Sequence, residues 1–177
     1  VDVDGEMMAA RLRCMTIGRA ADAFWWRVRK LWDECGALLI FDEIPLAFGR
    51  TGRMFCCENS GVTPGILVLG RGLGSGVVPM AATITRADLD IAPQRALGHY
   101  THEKSPVGAA AALATLDVIE SENLLEHSSK LGAETLEQLR KLQQRHDAVI
   151  DVRGLGLAMG VELSSPDAAE RVLYDCL

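Results

Sequence analysis

No stretch of this 177-residue sequence is long and apolar enough to span a bilayer as a helix, so an integral helical membrane protein is not expected. The opening residues, VDVDGEMMAARLR, do not resemble a secretory leader. Positive charge is in deficit: 18 Lys plus Arg against 24 Asp plus Glu leave a formal net charge of −6, which argues against nucleic acid as a partner. Lysine is especially scarce, occurring only at Lys30, Lys104, Lys130 and Lys141. The cysteines (Cys14, Cys35, Cys56, Cys57 and Cys176) form an odd set with no CxxC spacing. That pattern predicts thiols in a reducing cytoplasm rather than a zinc site or a disulfide framework, and a bond between the neighbours Cys56 and Cys57 is sterically awkward. Internal repeats and low-complexity tracts are absent. What remains is an ordinary globular composition, 49% apolar and 24% charged, long enough for one core and a second, smaller unit.

The chain is organised around Leu38–Thr85. Apolar runs at Leu38–Phe41, Ile66–Leu69 and Met80–Ile84 are separated by turn-rich segments, and the first two stop on Asp42-Glu43 and Gly70-Arg71. Such runs predict buried parallel strands that deliver polar side chains to a site at their C-terminal ends. The 44–65 connection has little periodicity, and a long irregular connection inside a compact domain is usually functional. Arg50 and Arg53 within it are read as structural, through ion pairs, or as facing a partner subunit.

Upstream, Ala9–Thr16 is a weak strand candidate. Ala21–Cys35 is a helix candidate capped by Asp22, with Phe24, Val28, Leu31 and Trp32 on one face and Gly36 closing it. Downstream, 86–98 is polar helix or loop. Pro106 then opens an alanine-rich helix over Val107–Glu120. Asn123–Gln144 makes another, with Leu124, Leu131, Leu136, Leu139 and Leu142 as its apolar stripe. Ala148–Val152 and Leu157–Leu163 alternate like strands around the turn 153–156, and Pro166 starts a last helix. Helices alternating with strands mostly joined by crossovers mean α/β architecture. A boundary falls near 98–106.

Several motifs have more than one reading. Asp42, a carboxylate at the end of a buried strand, needs a partner, and the pattern alone leaves open a ligand or the backbone hydrogens of its own loop. Glu43 is read as structural. Gly70–Gly76 (GRGLGSG) suggests a phosphate loop and a nucleotide- or phosphate-binding module, but it lacks both GxGxxG spacing and a GKS/GKT ending. His99, His102 and Lys104 cluster in sequence without a recognisable metal spacing, and no metal site is expected.

Taken in order, Asp42-Glu43, Gly49-Arg50-Thr51-Gly52, Pro64-Gly65-Ile66 and Arg71-Gly72-Leu73-Gly74-Ser75-Gly76 closely resemble the class III aminotransferases, pyridoxal-phosphate enzymes of fold type I. The resemblance covers Ala21 to Leu163. It implies the second half of a cofactor-binding large domain, with a mostly parallel sheet and helices, over residues 1–104. A linker helix and part of a small C-terminal α/β domain would follow over 105–177. It further implies that Asp42 holds the proton on the pyridine nitrogen, that Ile44 packs on the cofactor ring, and that Thr101 reaches the cofactor phosphate of a partner subunit. Pro45 stands where the family commonly has a Gln that bonds the ring's phenolic oxygen. Ala10-Arg11 loosely replaces a Glu-Pro pair. Most consequentially, Arg71 occupies the position of the Schiff-base lysine, and a guanidinium cannot form that imine. The family's phosphate loop and its substrate-carboxylate arginine have no counterpart here. The expectation is therefore a truncated or degenerate, catalytically inactive homo-oligomer, a dimer or higher, in which retention of pyridoxal phosphate is in doubt. The alternative is an active transaminase or racemase acting on a small amine or keto acid, completed by a partner chain, with Lys104 or a non-imine mechanism serving.

Overall fold

The computed structural model describes residues 2–4, 22–95 and 101–176. Four short strands form one sheet: β1 (Asp2–Asp4), β2 (Ile40–Asp42), β3 (Ile66–Leu69) and β4 (Ala82–Thr85), in that spatial order. β1, β2 and β3 are parallel, with Phe41 beside Leu67. The apolar runs that predicted β2 and β3 bury Leu39 and Phe41 completely and Leu67 and Leu69 nearly so. Full burial of one such side chain contributes about 1.5–3 kcal/mol.

Helix α1 (Asp22–Cys35) covers this core. Trp25 is its buried anchor, edge-on to Phe41 with ring centroids 4.9 Å apart, and Val28 and Trp32 pack beside it. The buried stripe is thus 25, 28 and 32. Phe24 and Leu31, expected inside, are about half exposed, because the face turns one residue further than the aromatic run suggested. Gly36 ends the helix at φ +65°, and the Ala37 N–H reaches back to the Trp32 carbonyl at 2.9 Å, as a left-handed C-terminal cap requires.

β4 corrects one expectation. It pairs antiparallel to β3, Leu67 opposite Ile84. The connection 70–81 is a series of turns with no crossover helix, too short to return a strand in parallel. The weak strand candidate at 9–16, and the Ala10-Arg11 match, lie outside the described residues.

Helix α2 (Pro106–Ser121) begins on its predicted proline. Helix α3 (Leu124–Gln143) follows Asn123, which sits in the left-handed region at φ +53°. The buried face of α3 is Ser128, Gly132 and Leu136; of the expected leucine stripe Leu136 is buried and Leu124 and Leu139 are half-buried, whereas Leu131 and Leu142 are exposed and small residues take up the rest of the contact. The reason is its neighbour. β5 (Val149–Leu155) and β6 (Ala158–Leu163) form an antiparallel hairpin closed by Gly156-Leu157. A Cβ on Gly132 would lie 2.2 Å from the Gly156 carbonyl oxygen. β5 runs through 153–155, which sequence spacing assigned to the turn. Arg153 holds the hairpin by ion pairs to Asp151 on its own strand (2.6 Å) and Glu162 across it (2.8 Å). Helix α4 (Pro166–Asp175) starts under a cap in which the Ser165 hydroxyl accepts the Ala168 N–H at 3.1 Å. Among the described residues no helix is long and apolar enough to cross a membrane.

Candidate functional site

Everything of chemical interest gathers where β2 and β3 end. β2 stops at Asp42, whose half-buried carboxylate accepts the Ile44 N–H through Oδ1 at 3.0 Å. Among the described residues Oδ2 has no protein partner. One oxygen therefore shapes the loop, as the backbone reading of this aspartate expects.

Glu43 faces the opposite way. It is fully buried, its Oε2 accepts the Cys56 N–H at 2.6 Å and its Oε1 the Cys57 N–H at 2.7 Å. Both donors open the 3-10 turn Cys56–Asn59. Burial pushes the carboxyl above its ordinary value of 4.5, and the two N–H groups oppose that rise. The Cys57 thiol is pushed up to about 12, chiefly by burial and then by the Glu43 charge. The structural reading of Glu43 follows directly: it ties the irregular 44–65 connection to the end of β2.

That connection folds back on itself, with the Phe48 N–H donating to the Met54 carbonyl at 2.6 Å and Gly49 to Arg53 at 3.1 Å. Its GRTG segment is walled in by the hairpin: Leu157 N–H donates to the Arg50 carbonyl at 2.8 Å, and a Cβ on Gly156 would meet Thr51 backbone at 2.5 Å. The guanidinium groups of Arg50 and Arg53 are exposed and make no ion pair among the described residues, so the predicted ion pairs are not formed. Arg50 contributes to structure through its backbone carbonyl instead.

Arg71 leaves β3 just after Gly70, at φ +22°. A Cβ on Gly72 would sit 3.0 Å from Phe48, so the loops following β2 and β3 are in close packing. The phosphate-loop reading of 70–76 does not suit this geometry. The Leu73, Ser75, Val77 and Val78 N–H groups all turn inward onto loop carbonyls, and β4 follows where a nucleotide loop would lead into a helix.

Between these loops and the hairpin lies a cleft of about 530 Å³. It brings together Ile44, Pro45 and Phe48 from the first loop, Arg50 and Arg71, Ser128 of α3, and Met159 of β6. Of the predicted site residues, Ile44 and Arg71 line it. Asp42 sits at its edge in sequence, two residues before Ile44. Thr101 does not line it: Thr101 is exposed in the turn 101–104. His99 lies outside the described residues, and His102 is exposed. All four lysines are exposed and none lines the cleft; Lys104 pairs with its neighbour Glu103 at 3.7 Å. Sequence reasoning missed Ser128 and the hairpin wall at 157–159, because they come from a separate sheet and helix far along the chain.

A mostly parallel sheet with a polar site at its strand ends, followed by a helix pair and a small hairpin, is the arrangement of part of a fold type I pyridoxal-phosphate enzyme. The (S)-enantioselective omega-transaminase from Thermomicrobium roseum superposes with a TM-score of 0.83 at 30% identity, over 95% of this chain and 37% of that one. Plasmodium falciparum ornithine delta-aminotransferase superposes at 0.80 and 29% identity, over 85% and 39%. Residues 16–176 match the class-III aminotransferase family. The chain belongs to that family. A Vibrio splendidus (R)-1-hydroxy-2-aminoethylphosphonate ammonia-lyase is 43% identical over 181 aligned residues, 98% of this chain and 38% of the relative. A Thermococcus litoralis leucine/methionine racemase is 38% identical over 86% of the chain and 34% of the relative. The chain thus spans under two-fifths of the length of these relatives.

Pyridoxal phosphate is the cofactor the family implies, and the residues present fit it only in part. Asp42 offers a free carboxylate oxygen and Ile44 an aliphatic wall. The donor at the end of β3 does not fit a covalent link, because arginine stays protonated and no lysine lines the cleft.

Proposed function

We propose that this chain is a class III aminotransferase-like protein that does not itself carry out lysine-dependent catalysis. The observation that supports this is Arg71, placed at the exit of β3 in a cleft without lysine. In this reading the residues keep non-covalent roles. Asp42 pairs with a pyridinium nitrogen through Oδ2, Ile44 packs on the ring, and Thr101, exposed away from the cleft, reaches the cofactor phosphate of a partner subunit. Residues 1–104 act as part of the cofactor-binding domain and 105–177 as linker helix and small domain. The assembly is a cytoplasmic homo-oligomer.

A second reading has specific support. Identity of 43% over nearly the whole chain is to an ammonia-lyase, with a racemase at 38%. It favours an enzyme completed by a partner chain, acting on a small amine and using a lysine from outside the cleft.

The test is an absorption spectrum with added pyridoxal phosphate, before and after borohydride, on this chain and on Arg71→Lys. The first reading expects no reducible band from the unmodified chain and a band, with label at position 71, from the variant. A label on Lys104 of the unmodified chain would overturn it and establish the second. A variant that acquires no band removes the cofactor roles assigned to Asp42 and Ile44.

A further inference from the structure

Helix α2 is apolar on almost every side, and a helix of that kind is expected to be covered all round. It packs on α3 and buries only Gly108, Ala112 and Ile119. Its outer side presents Val107 (66% exposed), Ala111, Ala114 and Val118 (45% exposed) as one stripe, with Leu113 (63% exposed) flanking it. Positions 107, 111, 114 and 118 alternate steps of four and three, the spacing of a seam between paired helices. The only charges of the helix, Asp117 and Glu120, lie off that stripe. The outward side of α3 is the ordinary case: Glu126, Lys130, Glu134, Glu137 and Lys141 are all exposed there. The apolar surface also runs on beyond the start of α2. A Cβ on Gly108 would lie 3.4 Å from the Met80 sulfur, and Met80 lines a trough of about 500 Å³ with Arg71, Pro79 and Val77, the last 84% exposed.

We propose that the outer face of α2 is the twofold interface of a homodimer, in which the two copies of the helix lie antiparallel. The stripe reads the same in both directions, with valine at 107 and 118 and alanine at 111 and 114. An antiparallel pair therefore sets Val107 against Val118 of the partner subunit and Ala111 against Ala114 of the partner subunit, the self-complementarity that a twofold axis demands. Alanines at the crossing let the helix axes approach to about 8 Å, and the two valine contacts close the seam about 16 Å apart along it. Charge chooses the direction. Arg71 of the trough and Lys104 stand at the N-terminal end of α2, and Asp117, Glu120 and Glu122 at its C-terminal end, all of them exposed. Antiparallel pairing lays each cationic end beside the partner's acidic end and opposes the helix dipoles, whereas parallel pairing sets acid against acid. The trough extends the contact beyond the helix, as an interface of the usual roughly 1,600 Å² requires. This inference rests on the homo-oligomer reading above and names the surface which that reading leaves unassigned.

Sedimentation velocity between about 1 and 100 μM, with circular dichroism as the folding control, tests this on the unmodified chain, Val107→Glu, Val118→Lys and the double variant. The unmodified chain is expected to sediment as a dimer, with twice the mass of one chain. Each single substitution brings a charge against like charge on the partner, and the twofold axis repeats the clash at both ends. Dimerisation should therefore weaken about a hundredfold or more in either single variant. The double variant pairs opposite charges across the axis and should recover most of that loss. Both positions are exposed, and glutamate near the start and lysine near the end of a helix suit its dipole, so the fold is preserved. Should one single variant unfold, the other reads the same contact from its opposite end. A dimer unaffected by both single variants would overturn this interface and leave the homo-oligomer reading standing. Single variants that dissociate without recovery in the double variant would overturn the antiparallel arrangement. An unmodified chain that stays monomeric at the highest concentration would overturn the interface and the homo-oligomer reading together.

Discussion

Glu43→Ala is expected to destabilise the chain severely, although Glu43 touches neither the cleft nor any cation. Its two oxygens are the acceptors for the Cys56 and Cys57 N–H groups, at 2.6 and 2.7 Å, and its side chain is fully buried. Truncation orphans both donors at about 1–3 kcal/mol each and leaves a cavity, while removal of a buried charge returns part of that. A net loss of about 3 kcal/mol is a large fraction of the 5–15 kcal/mol typical of a domain. Urea unfolding at neutral pH measures it. Glu43→Gln keeps one acceptor and should cost about half as much. The glutamine variant also isolates the ionisation. Because burial raises the folded carboxyl above 4.5, the native state holds its proton where the unfolded state has lost it. Stability contributed by the protonated group is therefore full below about 4.5 and declines as pH rises through the raised value. The advantage of the unmodified chain over Glu43→Gln should shrink across that window. A loss below about 1 kcal/mol in the alanine variant, or an advantage that grows with pH, refutes the account.

Two further outcomes follow from the same geometry. The Cys57 thiol, raised to about 12 by burial and the Glu43 charge, should resist iodoacetamide at mildly alkaline pH, while the exposed Cys35 and Cys176 react; peptide mass spectrometry reads the difference, and equal labelling of Cys57 contradicts it. Gly132→Ala places a methyl 2.2 Å from the Gly156 carbonyl oxygen, so it should cost about 1–3 kcal/mol in thermal or urea unfolding despite alanine's better helix propensity, and a stabilised variant would mean that α3 does not pack on the hairpin as described.

The strands that carry the site were legible because their signal is local. Leu38–Phe41 and Ile66–Leu69 are apolar runs bounded by turn residues, and burial inside a sheet demands that pattern. The Pro106 start and the Gly36 stop were legible for the same reason, since backbone chemistry at a helix end depends on one or two residues. What failed depended on partners. The buried face of α3 is Ser128-Gly132-Leu136 because a carbonyl of the Gly156 turn comes up against it, and no periodicity of leucines reports a backbone that arrives from twenty-four residues away. The direction of β4 was misjudged because an apolar run carries no sign of its pairing sense; the absence of a crossover helix in 70–81 was the available clue. At the site, motif order placed Asp42, Ile44 and Arg71 together at the ends of adjacent strands, whereas Ser128 and Met159 became visible only when the hairpin closed the cleft.

Arg71 is where sequence and structure bear on one another most closely. Its backbone lies at φ +22°, a region that costs any side chain other than glycine something, and the cost arises at Cβ. Arginine and lysine are identical through Cβ and Cγ, both unbranched there, so the loop makes the same demand of either. The turn around it is closed by main-chain bonds, Leu73 N–H to the Gly70 carbonyl at 2.9 Å and Ser75 N–H to Gly72 at 3.0 Å, which do not involve the side chain. The side chain itself is exposed at the rim of the cleft and displaces nothing by its extra length. Exchange of one for the other is therefore conformationally almost neutral and chemically decisive: a permanently charged fork suited to an oxyanion becomes an amine that can lose its proton and attack a carbonyl. Reactivity at this position is thus governed by the terminal group alone.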